Sequence, residues 1–117
     1  MRVMNHVCHV EYFVKDIARA QKFYEGLFGW NFRSFFEGMV IFGQGDNHIG
    51  GLMQKDDFTL GDTPSIWYQV ESLDDMIAKA KSLGGSADEE KSPVPGVGVS
   101  TVVKDPDGNL VGLVQYD

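Results

Sequence analysis

A chain of 117 residues is one domain by length, and a domain of this size buries roughly two thirds of its unfolded surface without needing covalent staples. Seventeen acidic against ten basic side chains give a net charge of -7 with no Lys/Arg cluster, which excludes a phosphate-backbone or anionic-membrane surface and leaves a small molecule as the expected partner. The lone Cys8 excludes an internal disulfide and points to a reducing, cytoplasmic setting; no run nears the ~18 apolar residues of a membrane span, and Met1 to Val7 has no signal-peptide pattern.

His6 to Val14 alternates and is rich in Val, Phe and Tyr, so a strand is expected there. Asp16 then caps a helix whose apolar positions Ile17, Ala20, Phe23, Tyr24 and Leu27 form one stripe, expected to lie on a sheet, and Gly29 stops it. Three short strands follow, Trp30 to Phe35, Met39 to Phe42 and His48 to Gln54, separated by the turn-like Glu37-Gly38 and Gly43 to Asn47. Asp56 to Pro64 is polar and reads as a linker.

The same order then returns. Ile66 to Val70 is a strand, and Ser72, with Asp75 three residues on, caps a helix with the apolar face Leu73, Met76, Ile77, Ala80 and Leu83. Gly84-Gly85 ends it. Ser86 to Glu90 reads as a weak edge strand and Ser92 to Gly98 as a loop. Val99 to Lys104 and Asn109 to Tyr116 are strands joined by the turn Asp105-Pro106-Asp107-Gly108.

The two halves superimpose. Val14-Lys15-Asp16 falls on Val70-Glu71-Ser72, Gly29 falls on Gly85, and Gly51-Leu52-Met53-Gln54 falls on Gly112-Leu113-Val114-Gln115. The expected fold is therefore α+β, with two tandem βαβββ modules (residues 1–55 and 65–117, linker 56–64). Such modules bury their sheets by forming a curved mixed sheet around a cleft, with the helices outside.

His9-Val10-Glu11-Tyr12-Phe13-Val14-Lys15-Asp16, with Ala20, Phe23-Tyr24, Leu27 and Gly29-Trp30, resembles the opening of the glyoxalase, bleomycin-resistance and ring-cleaving dioxygenase group, the vicinal oxygen chelate superfamily. Leu83-Gly84-Gly85, Pro95-Gly96-Val97-Gly98 and Asp105-Pro106-Asp107-Gly108-Asn109, then Gly112-Leu113 and Gln115, resemble its second module. Gly50-Gly51-Leu52-Met53 and the Gly-Leu-x-Gln ending are most similar to the glyoxalase-like or hydroxylase branch. The resemblance implies a homodimer. It also implies a divalent metal held by four His or Glu side chains converging within about 2.0–2.6 Å.

Carried onto this chain, those four positions are His9, Ser65, Gly51 and Gly112. Glycine brings no donor and a serine hydroxyl is a poor one, so no cofactor is the expectation, with His9 the ligand if a divalent metal is present. Glu11 shares the strand face of His9, and the two form a candidate acid–base pair. His48 and His6 have the opposite strand parity and are expected to point away. Phe13, Met53 and Trp67 form an apolar wall, and Gly51 and Gly112 leave room either for a ligand or for close strand packing; with Ser65 these are the candidate ligand-binding residues.

Three functions stay open on these residues: a small-molecule protein using the cleft without the family metal, a metal-dependent lyase, isomerase or dioxygenase with an atypical ligand set, and a protein-interaction module using exposed sheet edges. His9 itself reads either as a pocket-lining hydrogen-bonded histidine or as a ligand.

Overall fold

The computed structural model describes residues Val3–Asp88 and Glu90–Asp117. They divide into two compact units, one of Cys8–Ser65 and the other of Ile66–Asp117 with the residues up to Val7. Each is a βαβ-type layer of helix on mixed sheet, so the fold is α+β. No helix among the described residues is long and apolar enough to cross a membrane.

The first unit runs β1 (Val7–Val14), α1 (Ile17–Phe28), β2 (Asn31–Phe36), β3 (Met39–Gln44) and β4 (Asn47–Gln54), with sheet order β2-β3-β4-β1. The helix provides the crossover that lets β1 and β4 pair in parallel, Glu11 opposite Gly51. Asp16 Oδ1 accepts the Arg19 N–H at the start of α1, and Gly29 ends it at φ 72, a left-handed cap open to glycine at little cost. On the helix side of the sheet Leu52 and Phe42 are buried, and Trp30 stacks between Phe28 and Phe42, with ring centroids 4.4 and 4.6 Å apart.

Not all of the expected apolar stripe of α1 lies on the sheet. Ile17, Ala20 and Tyr24 are half-buried, whereas Phe23 and Leu27 are about 60 % exposed. The helix is rotated so that Tyr24, in contact with Tyr12 and Trp30, sits at the centre of its inner face, which turns positions 23 and 27 away.

The second unit runs β5 (Ser65–Gln69), α2 (Leu73–Ser82), β6 (Ser86–Ala87), β7 (Ser92–Val94), β8 (Gly98–Lys104) and β9 (Leu110–Tyr116), with order β5-β9-β8-β6 and β7 also on β8. Ser72 Oγ accepts the Asp75 N–H. At the other end of α2, Gly85 N–H reaches Ala80 O and Gly84 N–H reaches Lys81 O, the two bonds of a Schellman cap, and Leu83 at the cap is exposed rather than part of the packed face. Leu73 and Ile77 pack with Val70, Val103 and Leu113 as this unit's core.

Ser92–Val94 is a strand, not part of a loop. Pro93 is compatible with it because an edge strand needs no outward N–H from that residue. Of the edge strand expected over Ser86 to Glu90, only Ser86–Ala87 pairs with β8, and Glu89 lies outside the described residues. In the hairpin turn, Asp105 Oδ1 accepts the Asp107 and Asn109 N–H groups and Oδ2 accepts Asn109 Nδ2. Asn109 first, and then the turn's backbone donors, hold the Asp105 carboxyl below its ordinary value.

The duplication extends to one side-chain bond that the sequence comparison did not foresee. Gln54 Oε1 accepts the N–H of Ile17, and Gln115 Oε1 accepts the N–H of Leu73, so each last strand ends by capping the first residue of its own module's helix.

Candidate functional site

On the face of the first sheet away from α1, His9, Glu11, Phe13, Ile41 and Gly51 share strand parity, and paired strands keep them side by side. His9 and Glu11 meet as expected: His9 Nε2 lies 3.2 Å from Glu11 Oε1, with both side chains mostly buried. The other ring nitrogen, His9 Nδ1, lies 2.8 Å from His48 Nε2, and the two imidazoles are near-coplanar at 17°.

His48 was expected to point away, and it does not. Phe42 pairs with Gly50 but Gly43 pairs with His48, so Ile49 is an extra residue on β4, a β-bulge that re-aims His48 onto the His9 face. His6, by contrast, precedes β1 and is exposed, and its backbone carbonyl accepts the Gln69 N–H.

The tautomers follow from the partners. A carboxylate only accepts, so His9 carries its proton on Nε2 toward Glu11; Nδ1 then accepts from His48 Nε2–H, which leaves the His48 lone pair on Nδ1. Partial burial, then the neighbouring His9 and Arg33, lower the His48 pKa to about 4, so the ring is neutral at pH 7.

His48 also borders a recess of about 310 Å³ at the β3–β4 end of the sheet, with Asn31, Arg33, Ile41, Asp46 and Asn47 around it. Arg33 and His48 were both missed as site residues in the sequence. Arg33 pairs across the ladder with Ile41, which puts it on the same face, but that pairing is a non-local fact.

Among the remaining expected residues, the chain itself fills much of the space. A methyl on Gly51 would meet Met39 Cε at 2.8 Å and His9 Cε1 at 3.3 Å, and one on Gly112 would lie 2.5 Å from the Trp67 indole. Phe13 is met by the edge of Phe58 and carries Lys55 Nζ 4.5 Å above its ring, while its N–H donates to Thr63 Oγ1. Met53 is half-buried beside Phe13 on the neighbouring strand, and Ser65, also half-buried, opens β5.

The donor set does not fit a metal of the family type. Both nitrogens of His9 are engaged by Glu11 and His48, glycines stand at 51 and 112, and no group of three or more His, Cys, Asp or Glu among the described residues is placed to hold an ion. What the geometry provides is a carboxylate-backed pair of hydrogen-bonded imidazoles, the second of which borders a recess.

Comparison with solved structures finds the same fold at low identity. A glyoxalase/bleomycin resistance protein/dioxygenase superfamily member from Vibrio splendidus 12B01 superimposes with a TM-score of 0.70 at 17 % identity, covering 94 % of this chain and 97 % of its own. Methylmalonyl-CoA epimerase from Mycobacterium tuberculosis gives 0.72 at 16 %, covering 100 % and 93 %. The Mn(II)-bound glyoxalase from Novosphingobium aromaticivorans gives 0.69 at 22 %, covering 96 % of this chain but 39 % of its own. Among curated proteins, none matches the chain significantly in sequence. The family model described as Glyoxalase/Bleomycin resistance protein/Dioxygenase superfamily matches residues 6–113, nearly the whole chain, and the chain belongs to that superfamily.

Proposed function

We propose that this protein binds a small organic molecule at the His9 face of the Cys8–Ser65 unit and that the chemistry open to it there is acid–base chemistry at His9 and Glu11, without the family metal centre. The observation that carries this reading is the engagement of both His9 nitrogens, one by a carboxylate and one by a second imidazole. A carboxylate-backed imidazole can pass a proton along the hydrogen bonds it already makes, from Glu11 through His9 to His48, whereas a metal would have to break one of them. Phe13, Gly51, Met53 and Ser65 belong to the proposed ligand surface of this unit, and Trp67 and Gly112, paired with each other in the other unit, are proposed as ligand-binding residues of that unit's own sheet. The absence of a basic cluster and the family resemblance support a small-molecule partner and a homodimer, and the single cysteine supports a cytoplasmic setting.

A divalent-metal-dependent lyase, isomerase or dioxygenase is the second reading. It is favoured by the convergence of two imidazoles within 2.8 Å and by the likeness in fold to a protein described as Mn(II)-bound. Elemental analysis of purified protein, with thermal shifts against Zn, Ni, Mn and Fe(II) and a His9→Ala control, separates the two. The first reading expects no stoichiometric metal and no shift dependent on His9; near-stoichiometric metal that disappears in His9→Ala overturns it.

A further inference from the structure

Arg33 and Asn31 bring hydrogen-bond donors to the recess that His48 borders. Arg33 is exposed on β2, and among the described residues no carboxylate lies within ion-pair distance of it, although it borders the same recess as Asp46. Its guanidinium therefore keeps its planar fork of donors for an outside partner. Asn31 commits its Oδ1 to the Gly45 N–H, which fixes that side chain and leaves its amide N–H donors. Asp46 and the net charge of -7 oppose a second negative charge in the same place. At about 310 Å³ the recess is at the small end of ligand sites, too small for a nucleotide-sized cofactor.

We infer that the Arg33 recess is a subsite for the carboxylate of a small, singly charged organic acid, held by the Arg33 fork beside His48. This deepens the function proposed above and rests on it only for the role of the neighbouring His9. A guanidinium matches a carboxylate with two parallel hydrogen bonds, which gives orientation as well as attraction. His48 is neutral and so does not repel Arg33, and it lines the recess in which the carboxylate is anchored.

The test is NMR titration of ¹⁵N-labelled protein at neutral pH after chelation, so that metal content, which decides the preceding proposal, does not enter. Propionate is the probe, with propionamide as its uncharged isostere and inorganic phosphate as a competing anion. Saturable shifts of the Arg33 Nε–H and the His48 ring are expected with propionate and not with propionamide. Arg33→Gln should weaken binding roughly tenfold or more, and Arg33→Lys should fall between, since an ammonium keeps the charge and loses the fork. Arg33 is exposed, and an unchanged backbone spectrum in each variant confirms that the fold is retained. Equal binding of propionamide, an Arg33→Gln affinity equal to wild type, or phosphate binding tighter than propionate each overturns the assignment.

Discussion

Gly112→Ala is expected to destabilise the second unit because the added methyl has nowhere to go. Its carbon would lie 2.5 Å from Cδ2 and Cε3 of Trp67 and 3.0 Å from the Ile66 carbonyl oxygen, whereas carbon–carbon contact is comfortable at about 3.5–4.0 Å. Trp67 pairs directly with Gly112 in the β5–β9 ladder, so the backbones cannot separate without breaking sheet bonds, and the rigid indole must retreat by about an ångström instead. Overpacking of this kind costs about 1–3 kcal/mol. For a chain of this length that corresponds to a fall in Tm of about 4–12 °C. Gly51→Ala is the control, since its nearest obstacle is the flexible end of Met39, and a cost below about 1 kcal/mol is expected. Urea denaturation of both variants, with Trp67→Ala and the Trp67→Ala/Gly112→Ala double variant, measures the coupling directly, because alanine at 112 should cost little once the indole is gone. A Gly112→Ala protein as stable as wild type would refute the packing argument.

Three further outcomes are expected. The His48 pKa is about 4 in the fold against about 6.5 unfolded, so between these values the unfolded chain holds the extra proton; the contribution of His48 is intact above about pH 6.5 and is lost as pH falls toward 4. Solvent screens an exposed ring, so the loss is about 1 kcal/mol, and His48→Asn should remove that part of the pH dependence in urea titrations, with the neighbouring His9, Glu11, Arg33 and Asp46 unchanged. Asp105→Ala removes the acceptor of three turn bonds and should lower Tm; since the folded carboxyl is depressed, its contribution is present above the ordinary carboxylate pKa and lost as pH falls through the depressed value, so wild type and variant should converge in acid. Gln115→Ala unpairs the Leu73 N–H and should cost about 1 kcal/mol by urea denaturation, with Gln115→Glu restoring most of it.

The features legible in the sequence are those whose physics is local. Asp16 and Ser72 lie three residues before the N–H groups they accept, Asp105 sits within a few residues of all its donors, Gly29 directly follows its helix, and Gly84 stands two residues past the end of the other. The doubled order of elements and the His9–Glu11 pair, two residues apart on one strand, are of the same kind. What escaped depends on ladders between distant segments. Arg33 reaches the site face only through the register of β2 on β3, and Phe23 and Leu27 face outward because Tyr24 and Trp30 set the roll of α1. His48 is the sharpest case, because parity counted from Gly51 is right for a regular strand and wrong across a bulge.

The single extra residue at Ile49 also bears on how sites of this fold diverge. The histidine at 48 gains its place beside His9 through a change of phase in the backbone and not through a change of amino acid: were the strand paired regularly with Ile49 kept, Ile49 would stand opposite Gly43 and His48 would turn to the other face, whereas removal of Ile49 would leave His48 opposite Gly43. Insertions and deletions in this strand can therefore exchange which side chains face the ligand at one stroke, where point substitution would need several steps.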